Sequence, residues 1–302
     1  MIPRPSFCDG GQDMTNSHEQ AGFSQILNLR QIDEGAWEGP PGPGIGGRLF
    51  GGHAIAQALM AASLAENETR LAHSLHANFL QLGYSDRTTR FEVQTITQGR
   101  SFARRRVEAW QGELHVLTMS VSFHIEESGF SHSISPPDVD PVQTALRNME
   151  RWEAAQDEID GMPILGRLEE RPVEVAPLDV EGFFGSVARE PQSAVWMRAR
   201  DPAPVDPALA RAQLAYASDM LFLRNALLPH SVRPGDRTMQ VSSLDHAIWF
   251  HETPAFGEWH LHSGRSPWAG HARGLNQGHF FDQEGKVVAT VAQENLMRQH
   301  SR

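Results

Sequence analysis

The chain has 302 residues, 40% of them hydrophobic and 21% charged, the profile of a soluble globular protein with room for one large domain or two ordinary ones. Its formal charge of −11 argues against a nucleic-acid binder, which carries a basic surface, although a local basic patch can still hold an anionic ligand. A single cysteine, Cys8, excludes an internal disulfide, and neither a leader-like stretch nor a membrane-spanning apolar run is found, so a cytoplasmic protein is expected.

Residues 1–20 are polar and aperiodic, and a loose tail is expected there. "FSQILNLRQIDEGAWEG", from Phe23, reads as a strand and breaks at "PPGPGIGG". Gly42 to Gly47 literally fits the GxGxxG fingerprint of dinucleotide sites. No hydrophobic strand precedes it, and Pro43 removes an N–H that a phosphate needs, so a lid or entrance loop is the better reading. In "RLFGGHAIAQALMAASLA", Ile55, Leu59 and Ala62 recur at helical spacing with alanine on most other faces, which marks a buried helix. Strands follow in "LHANFLQL", in "TRFEVQTITQGRSFARRRVEAW" around a glycine turn, and in "ELHVLTMSVSFH". Residues 127–168, with the acidic amphipathic "ALRNMERWEAAQDEID", read as a linker carrying one short helix. That linker divides an N-terminal domain, 21–126, from a C-terminal one, 169–300.

The second half repeats the order. "RPVEVAPL" and "SAVWMRAR" are strands, and "AQLAYASDMLFLRNALL" is again a mostly apolar helix. "SSLDHAIWFH", "EWHLHSGRS", "HARGLNQGHFF" and "EGKVVATVAQENLM" supply the remaining strands. The spacing, about 170 residues, is too long for a solenoid repeat and fits duplication of a whole domain. An antiparallel sheet wrapped around each helix covers it economically.

Asp219 is the lone acid in the run "LAYASDMLFLRNALL", with nothing basic within four residues and Arg224 five further on. It either caps the start of a helix or does chemistry beside an apolar tunnel. Ser243 opens a strand, and Gln293 is an amide in the otherwise apolar "VVATVAQENL". Asp245 and His246 are adjacent, so on a strand they point to opposite faces and cannot form a dyad. Arg104 and Arg106 share one face of a strand, with Arg105 on the other. His260 and His262 also share a face, but no third ligand stands at metal spacing, so no metal is expected.

Seven pieces, "LFGGHAIAQAL", "HSLHANFL", "GRSFARRRV", "SFHIEESGFSH", "YASDMLFL", "LDHAIWFH" and "VAQENLMR", resemble the bacterial acyl-CoA thioesterase II family in order and spacing. The resemblance implies an α+β double hotdog, two tandem antiparallel sheets each wrapped around a long buried helix. It implies hydrolysis of acyl-CoA to free acid and CoA, with no cofactor and one active site per chain, in the second half. The family's Asp, Thr or Ser, and Gln fall on Asp219, Ser243 and Gln293; serine stands where threonine is common and keeps the hydroxyl. His53 stands where the first half would carry its counterpart of Asp219, and Ser120 roughly where it would carry that of Gln293.

The expected chemistry has Asp219 as general base, Ser243 and Gln293 orienting the water, and first-turn N–H groups of the Asp219 helix stabilising the oxyanion. Direct attack by Asp219 to give an anhydride is the competing mechanism. Gly51, Gly52, His53, Arg104, Arg106 and Asp245 are candidate substrate contacts, the arginines for the phosphates of CoA. A homo-oligomer, dimer or tetramer, is expected because a double hotdog can leave sheet surface to bury. A non-catalytic acyl-CoA-binding protein, and a hydratase or acyl transferase on the same thioesters, are the alternatives.

Overall fold

A computed structural model describes residues 22–66, 70–154, 171–184, 187–201, 206–232 and 238–300. The tail expected at 1–20 and the end of the expected linker, 155–168, lie outside the described residues.

The chain opens with a helical turn, α1 (Phe23–Ile26), where a strand was expected. Phe23 and Ile26 are three apart, so one turn buries both, and Asp201 from the second half caps it by accepting the Phe23 N–H at 3.0 Å. Strands β1 (Arg30–Asp33) and β2 (Ala36–Gly39) follow. The glycine-rich stretch is a tight hairpin, β3 (Gly44–Ile45) and β4 (Arg48–Leu49), with Gly46 and Gly47 at φ +59° and +76°. Positive φ at both central residues is what a two-residue hairpin of the right twist demands.

Helix α2 (Gly51–Leu64) carries the first half. Ile55 and Leu59 are both fully buried, each contributing about 2–3 kcal/mol, and the alanines between them let strands approach on every side. Around it run β5 (Leu71–Phe79), β6 (Thr89–Gln98), β7 (Phe102–Gln111) and β8 (Leu114–His124). After α3 (Val142–Ala154) come β9 (Val173–Pro177), α4 (Val180–Phe184) and β10 (Gln192–Ala199). The second central helix is α5 (Pro207–Ser218), followed by two 3-10 turns, Phe222–Ala226 and Leu228–His230. Strands β11 (Met239–Ser243), β12 (Asp245–Phe250), β13 (His260–Gly270), β14 (Arg273–Phe281) and β15 (Val287–Gln299) complete the chain.

Among the described residues the strands other than the β3–β4 hairpin form one continuous antiparallel sheet, ordered β1-β2-β6-β7-β8-β5-β12-β15-β14-β13-β10-β9, with β11 added beside β15. The two halves meet where β5 pairs β12, from Asn78 opposite Asp245 to Ser74 opposite Trp249. The sheets of the two hotdog halves are thus joined edge to edge, which removes two exposed edges. Helices α2 and α5 pack against each other beneath the seam, and one hydrophobic core runs from Phe91 and Val121 in the first half to Tyr216 and Phe280 in the second.

Candidate active site

The two central helices end differently. Helix α5 is opened by Asp206, whose carboxylate accepts the N–H groups of Ala208 (2.9 Å) and Leu209 (3.3 Å), with Pro207 in the first turn. It closes at Ser218, with Asp219 as its C-terminal cap residue, and Leu221 at φ +67° prevents continuation. The expectation that Asp219 starts a helix, and that this helix's first turn offers the oxyanion donors, is therefore corrected. The cap at the start is Asp206, thirteen positions earlier.

Helix α2 has the complementary defect. Its N-cap residue is Phe50, which offers no side-chain hydrogen bond, so the N–H groups of the first turn need acceptors from elsewhere. Asp219 Oδ2 accepts the Gly52 N–H at 2.8 Å, in a buried contact between residues 167 positions apart. The lone acid of that apolar run in the second half is thus the cap of the first half's helix. Its carboxylate sits at the positive end of α2 and the negative end of α5.

The other carboxylate oxygen is held from the second half. Oδ1 accepts from Gln293 Nε2 at 2.8 Å and from the Ser243 hydroxyl at 3.2 Å, and Gln293 Nε2 also contacts Ser243 Oγ. Ser243 ends β11 and Gln293 faces inward on β15, so three separate elements bring the expected trio together. Asp219 is 6% exposed and Gln293 fully buried.

Glycine makes the approach to Asp219 possible. A Cβ on Gly51 would lie 2.7 Å from Asp219 Oδ2 and 3.0 Å from the Phe79 ring. A Cβ on Gly52 would lie 2.3 Å from the Tyr216 carbonyl oxygen, where α2 crosses α5. Gly51 and Gly52, expected as substrate contacts, are the residues against which the carboxylate rests.

The remaining candidates are not gathered at this point. His53 lies in the first turn of α2, whereas Asp219 follows the last turn of α5, so the two are not counterparts as expected. The His53 ring lies 3.3 Å from the Pro40 carbonyl, beside Gln57, which donates to the same oxygen at 3.0 Å. Burial holds His53 down to about 4, so it is neutral and anchors the loop before the glycine hairpin. Ser120 is exposed on the outer face of β8, whereas Gln293 points inward, so that correspondence also fails. Arg104 and Arg106 lie exposed on the outer face of β7, while Arg105 turns inward, paired with Glu66 and donating to Gln98 at 2.6 Å. Asp245 is exposed and accepts the Glu294 N–H at 2.7 Å, while its neighbour His246 is fully buried, on opposite faces as their adjacency requires. His262 stacks on Phe280 at 4.2 Å with its pKa pushed down to about 3 by burial, and His260 is tied to the Glu258 carbonyl at 2.9 Å.

Sequence reasoning missed three participants. Phe79 forms the apolar wall beside Gly51, Tyr216 supplies the helix-crossing carbonyl, and Ser218 lies 2.8 Å from His246 Nε2. The Asp-Pro pair at 206–207 was a readable start signal for α5 and would have moved Asp219 to the helix's end.

Two helices crossed beneath a fused antiparallel sheet, with a carboxylate, a hydroxyl and an amide converging where they cross, define the class of double hotdog proteins. The chain belongs to the acyl-CoA thioesterase family: residues 167–296 match the acyl-CoA thioesterase model and residues 40–124 that of the acyl-CoA thioesterase N-terminal domain. It is 34% identical over 276 residues to acyl-CoA thioesterase 2 of Haemophilus influenzae, covering 90% of this chain and 96% of that one. It is 32% identical over 281 residues to human acyl-coenzyme A thioesterase 8, covering 90% and 88%. Among solved structures it is similar to the acyl-CoA thioesterase II TesB2 of Mycobacterium marinum, with TM-score 0.73, 32% identity, and coverage of 92% and 98%. A protein with hot dog fold from Alicyclobacillus acidocaldarius, 20% identical at TM-score 0.73, shares the fold.

Proposed function

We propose that this chain hydrolyses acyl-CoA thioesters to the free acid and CoA, with Asp219 taking a proton from the attacking water. The observation that carries the reading is the occupancy of the Asp219 carboxylate. An ionised carboxylate offers about four acceptor positions. Ser243 and Gln293 fill those of Oδ1, and Gly52 takes one of Oδ2. The remaining position is on Oδ2, on the side where Gly51 has no Cβ. A water donating there is held by the base that accepts its proton, and Ser243 and Gln293 act by fixing the carboxylate's plane.

A thioester carbonyl placed beside that water meets the N-terminal end of α2. The N–H of Gly51 and the positive end of the helix then face the developing oxyanion, without a charged side chain. The donors come from the first half and the base from the second, which explains why one site needs both halves. Phe79 supplies an apolar wall for the start of the acyl chain. Naming of the relatives as acyl-CoA thioesterases supports the substrate class.

The further parts of the reading are these. The chain comprises hotdog units at 21–126 and 169–300 joined by 127–168, and it works in the cytoplasm on acyl-CoA, without nucleic acid. No helix among the described residues is long and apolar enough to cross a membrane. It assembles as a homo-oligomer, dimer or tetramer, for which Trp249, 37% exposed and packed edge-on to His76 over the β5–β12 seam, is the natural contact. Arg104 and Arg106, on the outer face, can meet CoA phosphates only away from Asp219.

The test is release of free thiol from a series of acyl-CoA chain lengths, with the acid product quantified alongside. Stoichiometric thiol and acid support hydrolysis. Binding without thiol release would indicate an acyl-CoA-binding protein, and a hydrated or transferred acyl product a different hotdog enzyme.

A further inference from the structure

Strands β12 and β15 run antiparallel with Ala247 opposite Ala292 and Ile248 opposite Val291. One residue further in that register sets His246 against Gln293, and the two-residue period turns both side chains inward, where both are fully buried. His246 Nε2 lies 2.8 Å from the hydroxyl of Ser218, the last residue of α5. His246 Nδ1 and Gln293 Oε1 are both sealed from solvent, and each is a buried polar atom without a hydrogen-bond partner in the structure. A ring nitrogen able to carry a proton and an acceptor-only oxygen are a matched pair.

We infer that His246 is a positioning residue for the hydrolysis proposed above: its Nδ1–H donates to Gln293 Oε1 and thereby fixes which end of the amide meets Asp219. The inference rests on the reading of Asp219, Ser243 and Gln293 as the active site. The two ends of a glutamine amide are nearly equal in shape, so packing alone does not choose between them. A flipped amide would set its carbonyl against Asp219 Oδ1, two acceptors facing each other, and free the carboxylate to turn away from the water. The donor on Nδ1 removes that alternative.

The tautomer follows from the second nitrogen. With its proton on Nδ1, the neutral ring must accept at Nε2. The Ser218 hydroxyl, placed to donate to the Ala215 carbonyl at 2.9 Å, must in this tautomer give its single hydrogen to the ring instead. Burial pushes His246 below the ordinary histidine range, so a single ring proton is the state at neutral pH. Donors then run in one direction, Ser218 to His246 to Gln293 to Asp219.

The experiment measures kcat and KM for His246→Leu, His246→Asn and His246→Gln, each alone and combined with Gln293→Ala, and reads the His246 tautomer by 15N NMR of the parent. An asparagine amide reaches where Nδ1 stands, and a glutamine amide where Nε2 stands. The leucine and glutamine variants are expected to lose kcat by about tenfold or more with KM within about twofold, and the asparagine variant to recover most of it. In the Gln293→Ala background, His246→Leu should cost less than about twofold further, and the NMR signature should be Nδ1–H. Additive losses, no advantage of asparagine over leucine, or an Nε2–H tautomer would each overturn the inference while leaving the Gln293 assignment intact. Unchanged kcat in Gln293→Ala alone would overturn the site assignment and the inference with it. The NMR measurement needs no variant, so the inference stays testable if His246→Leu does not fold.

Discussion

Gly51→Ala isolates what the missing Cβ does. The added methyl would stand 2.7 Å from Asp219 Oδ2 and 3.0 and 3.2 Å from two carbons of the Phe79 ring. Ordinary contacts of this kind lie at about 3.5–4.0 Å, so the carboxylate or the ring must retreat by roughly half to one ångström. Overpacking of this size costs about 1–3 kcal/mol, and the better helix propensity of alanine returns up to about 1 kcal/mol. Net stability should therefore fall by about 0–3 kcal/mol, a change a folded domain survives. Activity should fall far more, because the methyl fills the space assigned to the water, and a displacement of about 1 Å costs on the order of a hundredfold. Thiol release measured beside a urea denaturation curve separates the two effects. Activity within about threefold of the parent, in a protein shown to carry alanine at 51, would refute the placement of the water beside Oδ2.

Stability should fall with acid through the buried histidines. Burial holds His53 down to about 4 and His262 to about 3, both below the ordinary 6.5, so the unfolded chain binds protons first as pH drops. Their contribution is present above about 6.5 and lost from there downward, about 3 kcal/mol each by pH 4. Melting temperature against pH should show a shallower fall for His262→Leu than for the parent, and equal slopes would contradict this. The inward ion pair of Arg105 with Glu66 predicts that Arg105→Ala costs about 3 kcal/mol in urea denaturation, whereas the exposed Arg104→Ala costs less than about 0.5 kcal/mol; similar losses would sink the distinction. General-base hydrolysis leaves no acyl-enzyme, so thiol and acid should appear together from the first turnover. A burst of thiol ahead of acid would instead favour direct attack by Asp219.

Periodicity made much of the architecture legible. The alanine-rich run from Gly51 became α2, and the alternation around Arg105 became β7 with its neighbours facing outward. Short-range reasoning failed where a cap came from far away. Asp201 turns Phe23–Ile26 into a helical turn, and Asp219 serves a helix 167 residues distant, neither of which a local window contains. The resemblance supplied the trio of Asp219, Ser243 and Gln293, and the structure brings them within hydrogen-bonding distance. It also misled, because matching the halves by motif equated His53 with Asp219 and Ser120 with Gln293. Helix polarity separates the first pair and strand parity the second, and both depend on element boundaries that a sequence fixes least well. The fused seam between β5 and β12 has no signature in either strand alone.

The central claim is that the Asp219 carboxylate, held by Gly52, Ser243 and Gln293, is the base. Asp219→Asn keeps the side chain's shape and an oxygen for the Gly52 N–H while removing its basicity. Thiol release from the best acyl-CoA substrate should fall by about a hundredfold or more, in a protein that still folds but is less stable by about 1–3 kcal/mol and melts lower, because the asparagine NH2 meets the Gln293 Nε2 donor. Equal hydrolysis by both proteins would contradict the account and leave Asp219 as no more than the cap of α2.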